Sequence, residues 1–178
     1  MGIPTLISTA TASNASSVAI TSGIDSTYDE YMFVFTDYNP ATDNVNFEIQ
    51  ASIDGGSNYN VAMQTTAFEA LHNEDGNGGA IAYNTGDDQA NGTSYQRLCF
   101  DLGNGADESC AGILHLFNPS STTFTKQFYA RFQGYHTSNY CIDNFVSGMF
   151  NTTSAINAIQ FKMSSGVHDG HYSLYGIK

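Results

Sequence analysis

The sequence predicts an all-β fold: one antiparallel β-sandwich, jelly-roll-like, with roughly eight to ten strands. Three observations lead there. Ser, Thr, Asn and Gly supply 68 of the 178 residues, while only 12% are charged, a poor composition for helix bundles or coiled coils. Aromatic and β-branched segments recur at roughly 8–15 residue spacing between turn-forming clusters. Val45, Phe47, Ile49, Ala51 and Ile53 alternate without a fault against Asn46, Glu48, Gln50 and Ser52. That period of two is the signature of a strand with one face in the core and one in water. No window shows a comparable helical period.

Taken in chain order, residues 1–22 read as an N-terminal arm, with Ser17–Thr21 as a possible first strand. The body then runs over 23–178 as one domain. Tyr31–Tyr38 is dense in aromatic and β-branched residues and reads as a strong strand, ended by the turn chemistry of Asn39–Asn44. The alternating strand follows. Asp54, Gly55 and Gly56 close it in a turn that needs positive φ, and residues 59–66 run back, so the first half reads as an antiparallel meander. Residues 72–91 read as a long, exposed insertion holding one short strand at 80–83. Strands resume at 94–102, 111–117, 126–135, 144–150, 156–163 and 171–177. Gly170 reads as a turn residue before the final strand, and Gly176 as a structural residue that closes it.

Charge is placed unevenly. The formal net charge is −12, and no Lys or Arg precedes Arg97. Residues 1–96 hold twelve acids and no base; the remainder holds five of each. Phosphate binding needs clustered Lys and Arg, so nucleic acid is excluded as the main ligand. The acidic half reads as an outward, solubilising surface. No apolar run reaches the length of a membrane span, and the N-terminus lacks the basic n-region and apolar core of a signal peptide. The expectation is cytoplasmic synthesis without membrane attachment. Cys99, Cys110 and Cys141 are odd in number and lack metal-binding spacing, which predicts neither a disulfide framework nor a zinc site.

Motifs that carry chemistry are few. Asn73-x-Asp75-x-Asn77-Gly78 begins like an EF-hand loop, but Asn84 stands where the bidentate Glu is required. His168 and His171 form the only close histidine pair, and they read as polar residues around a turn, with His115 as a hydrogen-bonded core or interface residue. No nucleophile or phosphate-loop motif is found, so the chain reads as non-enzymatic, with no cofactor. Eleven Tyr and twelve Phe are enough to fill a core. Tyrosines near turns (Tyr38, Tyr59, Tyr83, Tyr95, Tyr135, Tyr140) suit an interface or a sugar platform, offering apolar area and a hydroxyl at low entropy cost.

Several segments together resemble small structural proteins of tailed bacteriophages, especially those of marine and cyanobacterial phages. They are Tyr31-Met-Phe-Val-Phe, Pro40-Ala-Thr-Asp43, Ile53-Asp-Gly-Gly-Ser-Asn-Tyr59, Asn118-Pro-Ser-Ser121 and Ala158-Ile-Gln-Phe161, followed by Gly166 and Gly170-x-x-Ser-Leu-Tyr-Gly-Ile177. The likeness spans most of the chain in the same order, and residues 72–91 match nothing in it. It implies a β-sandwich virion component without catalytic residues, assembled in the host cytoplasm and exposed on the released particle. The expected role is a capsid decoration (cement) protein that contacts the major capsid protein or other virion proteins as a homo-oligomer, a trimer by the resemblance. The alternative is a tail-fibre or receptor-binding tip module that contacts host glycans. Interface candidates are Ile3, Pro4, Leu6 and Ile7 of the arm, with Tyr38, Tyr59, Tyr135 and Tyr140.

Overall fold

The computed structural model describes residues 2–178 and is all-β, with thirteen antiparallel strands and no helix among those residues. The strands are β1 (Thr5–Ala15), β2 (Val18–Ile20), β3 (Glu30–Pro40), β4 (Val45–Ser52), β5 (Met63–Asn73), β6 (Gly79–Tyr83), β7 (Ala90–Gly92), β8 (Gln96–Leu102), β9 (Cys110–Phe117), β10 (Lys126–His136), β11 (Tyr140–Phe150), β12 (Ala158–Met163) and β13 (His168–Ile177). The number exceeds eight to ten because β1 and the short β7 carry little strand signal in their sequences.

Pairing divides the strands into two parts. The larger runs β1-β13-β3-β9-β10-β11-β5, with β6 and β7 sharing the far edge of β5. The smaller runs β8-β4-β12-β2. One residue pair, His136 with Leu102, joins them where β10 meets β8. The two parts face each other across an aromatic core. Phe35 of β3 lies 4.7 Å from Phe161 of β12 and 5.3 Å from Phe47 of β4, and Phe47 lies 5.5 Å from Phe132 of β10. Burying each such ring is worth about 1.5–3 kcal/mol, with an aromatic-pair increment beyond the area term.

The predicted meander is not formed. β3 pairs with β13 and β9, β4 with β12 and β8, and β5 with β11. The chain passes from the larger part to the smaller and back at β1–β2–β3–β4–β5, so consecutive strands face one another across the core. Local hairpins occur instead at β5–β6, β9–β10 and β10–β11.

Residues 1–22 are likewise no free arm in their described portion. β1 pairs along β13, and β2 pairs with β12. The turn after β4 is as expected, with Gly55 and Gly56 at φ 73° and 90°. A Cβ on Gly56 would meet the Tyr59 hydroxyl at 2.8 Å and Thr21 at 2.9 Å. In β13, Gly170 sits at an irregularity with φ 151°, packed on the Tyr38 ring, and Gly176 lies against the ring of Tyr28.

The alternating strand shows the largest departure. All eight residues of β4 are buried, Asn46, Glu48, Gln50 and Ser52 included. The alternation is real, yet its polar face is not in water. The segment before β8 closes over Gln50, and hydrogen bonds replace the lost solvent at Asn46, Gln50 and Ser52, though not at Glu48.

Candidate functional site: a polar cleft and an open aromatic face

Glu48, on the polar face of β4, forms the floor of a cleft of about 660 Å³ whose walls are residues 86–97 and Lys162. Register places Glu48 between Arg97 of β8 and Lys162 of β12, and Gln50 opposite Gln160. Opposite charges directly across antiparallel strands favour that register. Gln50 is fully buried; its Nε2 donates to the carbonyls of Thr93 and Ser94 at 3.0 and 3.1 Å, and its Oε1 accepts from the Ala51 amide at 2.7 Å. Gln96 likewise donates to the Asp87 carbonyl at 2.7 Å and accepts from Thr65 Oγ1 at 2.7 Å. These two amides clamp residues 86–96 onto the sheet and give the cleft a fixed wall.

Charges line the opening. Arg97 Nη1 lies 2.5 Å from Asp87 Oδ1, and Tyr83 donates to Asp88 Oδ2 at 2.6 Å. Lys162 Nζ stands 4.4 Å above the centre of the Tyr95 ring, and the Tyr95 hydroxyl donates to Gln160 Oε1. Glu48 is only 8% exposed. Its nearest cation, Lys162 Nζ, is 3.9 Å away, and no hydrogen bond reaches its carboxylate among the described residues. Burial pushes its pKa up, against the opposing pull of Lys162 and Arg97.

The outer face of the larger part is open, and Tyr83 at its β6 end reaches Asp88 of the cleft. Tyr129 of β10 stacks on His115 of β9 at 4.7 Å, and His115 Nδ1 lies 2.5 Å from Glu30 Oε1. Phe145 of β11 stacks flat on Phe68 of β5 at 4.6 Å, with the Arg131 guanidinium 5.0 Å over the Phe145 ring. Arg131 is held in turn by both oxygens of Asp143. Of nine large apolar side chains exposed among the described residues, six lie on this face: Leu6, Phe68, Ile81, Tyr83, Ile113 and Tyr129. The face ends at β1, which pairs only with β13 among the described strands, so its outer backbone edge is unpaired.

The predicted interface residues divide between surface and interior. Ile3, Pro4 and Leu6 are exposed. Ile7 is half-buried and packs on the core. Tyr38 is a correction: it is fully buried, 4.7 Å from Phe47 and stacked 5.3 Å from His168, because the irregularity at Gly170 opens room for its ring beneath β13. Tyr59 is half-buried, its ring packed at the Gly56 turn and its hydroxyl enclosed. Tyr135 and Tyr140 are half-buried at the β10–β11 end, where Tyr135 donates to Glu74 at 2.8 Å. Asp54 caps its turn, accepting from Ser52 Oγ at 2.7 Å and from the Asn58 amide at 2.9 Å; these bonds push its pKa down to about 2.

The histidine pair is split. His168 is buried, with its pKa lowered by burial, whereas His171 is exposed and bonded to Thr11. Asn73 and Asp75 spend their side chains on the amides of Asp75 and Asn77 in the β5–β6 turn. No group of three or more His, Cys, Asp or Glu is placed to hold a metal ion among the described residues.

Reading the sequence alone missed Glu48, Gln50, Arg97, Gln160 and Lys162. Their signal was the matched pair Glu48-x-Gln50 and Gln160-x-Lys162, long hydrogen-bonding residues where a solvated strand face readily uses Ser or Thr. The open face had a signal too. In β9, Ile113, His115 and Phe117 occupy one phase while Leu114 and Leu116 occupy the other, so both faces carry apolar or aromatic groups.

Comparison with protein families, curated proteins and solved structures returned no match for this chain.

Proposed function

We propose that this chain is a non-enzymatic structural protein of a tailed-phage particle, a decoration or cement protein on the outside of the head. The observation that carries an assembly role is the open aromatic face that runs into the uncharged, unpaired edge of β1. Exposed apolar side chains gathered on one sheet face favour a partner. An exposed edge strand normally carries charge to block pairing, yet no charged residue precedes Asp25. The phage setting comes from the segments, Tyr31–Phe35 through Gly170–Ile177, that resemble phage structural proteins.

In this role the larger part docks on the major capsid protein or on neighbouring copies, a trimer being the proposed oligomer. Interface area, multiplied over many symmetric contacts, then supplies the stabilisation. The acidic turn between β5 and β6, with Glu74 and Asp75, remains in solvent.

The test is the protein composition of purified particles of the phage that encodes the chain, with localisation by electron microscopy. Copy numbers in step with the major capsid protein, and density on the head surface, are the expected result. A handful of copies at the tail tip would replace it with the receptor-contact role, and absence from the particle would end the virion reading. Deleting residues 1–15 would also strip β1 from β13. Leu6→Lys and Ile113→Lys are therefore the cleaner probes: both should fold and both should lose head binding.

A further inference from the structure

We infer that the cleft over β4 is a binding site for a neutral saccharide, independent of where the protein sits in a particle. A volume of about 660 Å³ falls within the range of about 300–1,000 Å³ typical of small-ligand sites. The floor holds a carboxylate, Glu48, whose side chain is 11% exposed, lines the cleft and makes no hydrogen bond among the described residues. Its oxygens reach the cleft, so a ligand hydroxyl can donate to them directly, and a bond to an ionised acceptor is the stronger kind.

The other groups favour a polyhydroxylated, uncharged ligand. Arg97 is already neutralised by Asp87 at 2.5 Å, and Lys162 is shared between Glu48 and the Tyr95 ring. The cleft therefore presents paired donors and acceptors rather than a field of one sign. Vicinal hydroxyls need that pairing, since each donates once and accepts twice. An anionic ligand would meet Glu48, Asp87 and Asp88 together with a chain of net charge −12. Tyr95 adds an aromatic surface for the C–H face of a sugar ring. The ammonium above it is carried on a flexible stem, so a ring can take its place while Lys162 turns to a hydroxyl. The clamps from Gln50 and Gln96 hold the wall before any ligand arrives, which keeps the ordering cost of binding low.

The experiment is a titration of the isotopically labelled full chain with maltotriose, chitotriose and a β-linked galactotriose, followed by backbone amide shifts into the millimolar range. Trigalacturonate serves as the acidic counterpart. At least one neutral probe should shift the amides of residues 48, 86–97 and 160–162. Trigalacturonate should bind at least about tenfold more weakly, and Glu48→Gln, which keeps the side-chain shape, should weaken the neutral probe by about tenfold or more, one such step being 1.4 kcal/mol. Tyr95→Leu should lose binding as well, while Gln133→Ala on the open face should leave it unchanged. The inference is overturned if no neutral probe shifts the cleft, if the shifts map elsewhere, or if Glu48→Gln binds as the unaltered chain does. It also fails if the acidic trimer binds as well as the neutral ones.

Discussion

The outward faces of the two parts invert what side-chain polarity alone suggests. The outer face of β4 carries Asn46, Glu48, Gln50 and Ser52, yet it is buried; the outer face of β9, β10 and β11 carries Ile113, Tyr129 and Phe145 and stays open. Hydrogen-bond supply accounts for the first case. The backbone of residues 93–97 offers carbonyls to Gln50 and Gln96, so the amides of this layer are satisfied once a loop folds over them, and Glu48 is left to the cleft. The second face has no such cover within the chain. Its aromatics are stacked on one another and braced by ion pairs (Glu30 with His115, Arg131 with Asp143), which leaves a flat, ordered surface. Polarity predicts what a face needs; the neighbouring segments decide whether the need is met internally.

The strongest way to break this comparison is Gln50→Ala. Its loss leaves the Ala51 amide and two loop carbonyls without their partner inside a buried layer. That should cost about 2–3 kcal/mol, against almost nothing for Gln133→Ala on the open face. Equilibrium urea unfolding of both variants checks it, and equal midpoints would mean that the cover over β4 is wet rather than sealed.

A smaller loss is expected from Asp54→Ala, at the turn that leads out of β4. Hydrogen bonds from Ser52 and Asn58 hold the Asp54 carboxyl near 2, below its unfolded value of about 3.9. A depressed folded pKa gives stability that is present above the unfolded value and is lost as pH falls towards 2. Asp54→Ala should therefore melt below the unaltered chain at pH 7 and alongside it at pH 2. A gap that persists at pH 2 would assign the effect to the turn backbone instead of to the charge.

Much of the fold was legible because most strands announce themselves by composition and period. β3, β4, β8, β9 and β10 fall where aromatic and β-branched residues cluster, and the Gly55–Gly56 turn falls where only glycine is comfortable. β1 escaped notice: beyond Leu6 and Ile7, its alternating residues Thr9–Ser13 offer only small alanines to the inward face, and its strand character comes from lying along β13. Pairing order was not legible, since strands that cross the core between consecutive segments leave the same local signals as hairpins. Tyr38 was misread for a related reason. Its place beside a turn suggested exposure, whereas the bulge at Thr36–Asp37 turns it inward and Gly170, far along the chain, leaves room for its ring. The cleft was half legible: Tyr95 stood out as a sugar platform, but the residues around it converge only through register.

Glu48→Gln sharpens the comparison in the opposite direction, by raising stability. Burial lifts the Glu48 pKa in the folded chain although two cations stand near it. Between the unfolded carboxyl value of about 4.3 and that raised value, the native state binds more protons than the unfolded state, so stability falls as pH rises. At pH 7 the ionised side chain is a net cost, and the amide removes it. The variant should melt a few degrees above the unaltered chain at pH 7, with the advantage gone by pH 4. A variant less stable at both pH values would show that the contact with Lys162 outweighs burial.

The smallest effect on stability is expected on the open face, and that smallness is what separates a docking surface from an unfinished core. Ile113 and Tyr129 are 40% and 47% exposed and stand on neighbouring central strands. Replacing each with Ser gives up only the half of the side chain that is buried, so each change should cost about 1 kcal/mol, well below the truncation of a core ring. The double variant Ile113→Ser with Tyr129→Ser should then unfold cooperatively at a modestly lower urea concentration than the unaltered chain and stay folded without urea, while failing to co-sediment with heads that lack the protein. Loss of both the fold and attachment would instead make these rings part of what holds the larger sheet together. Retention of both would move the contact to the β1 edge, where Leu6→Lys remains the deciding substitution.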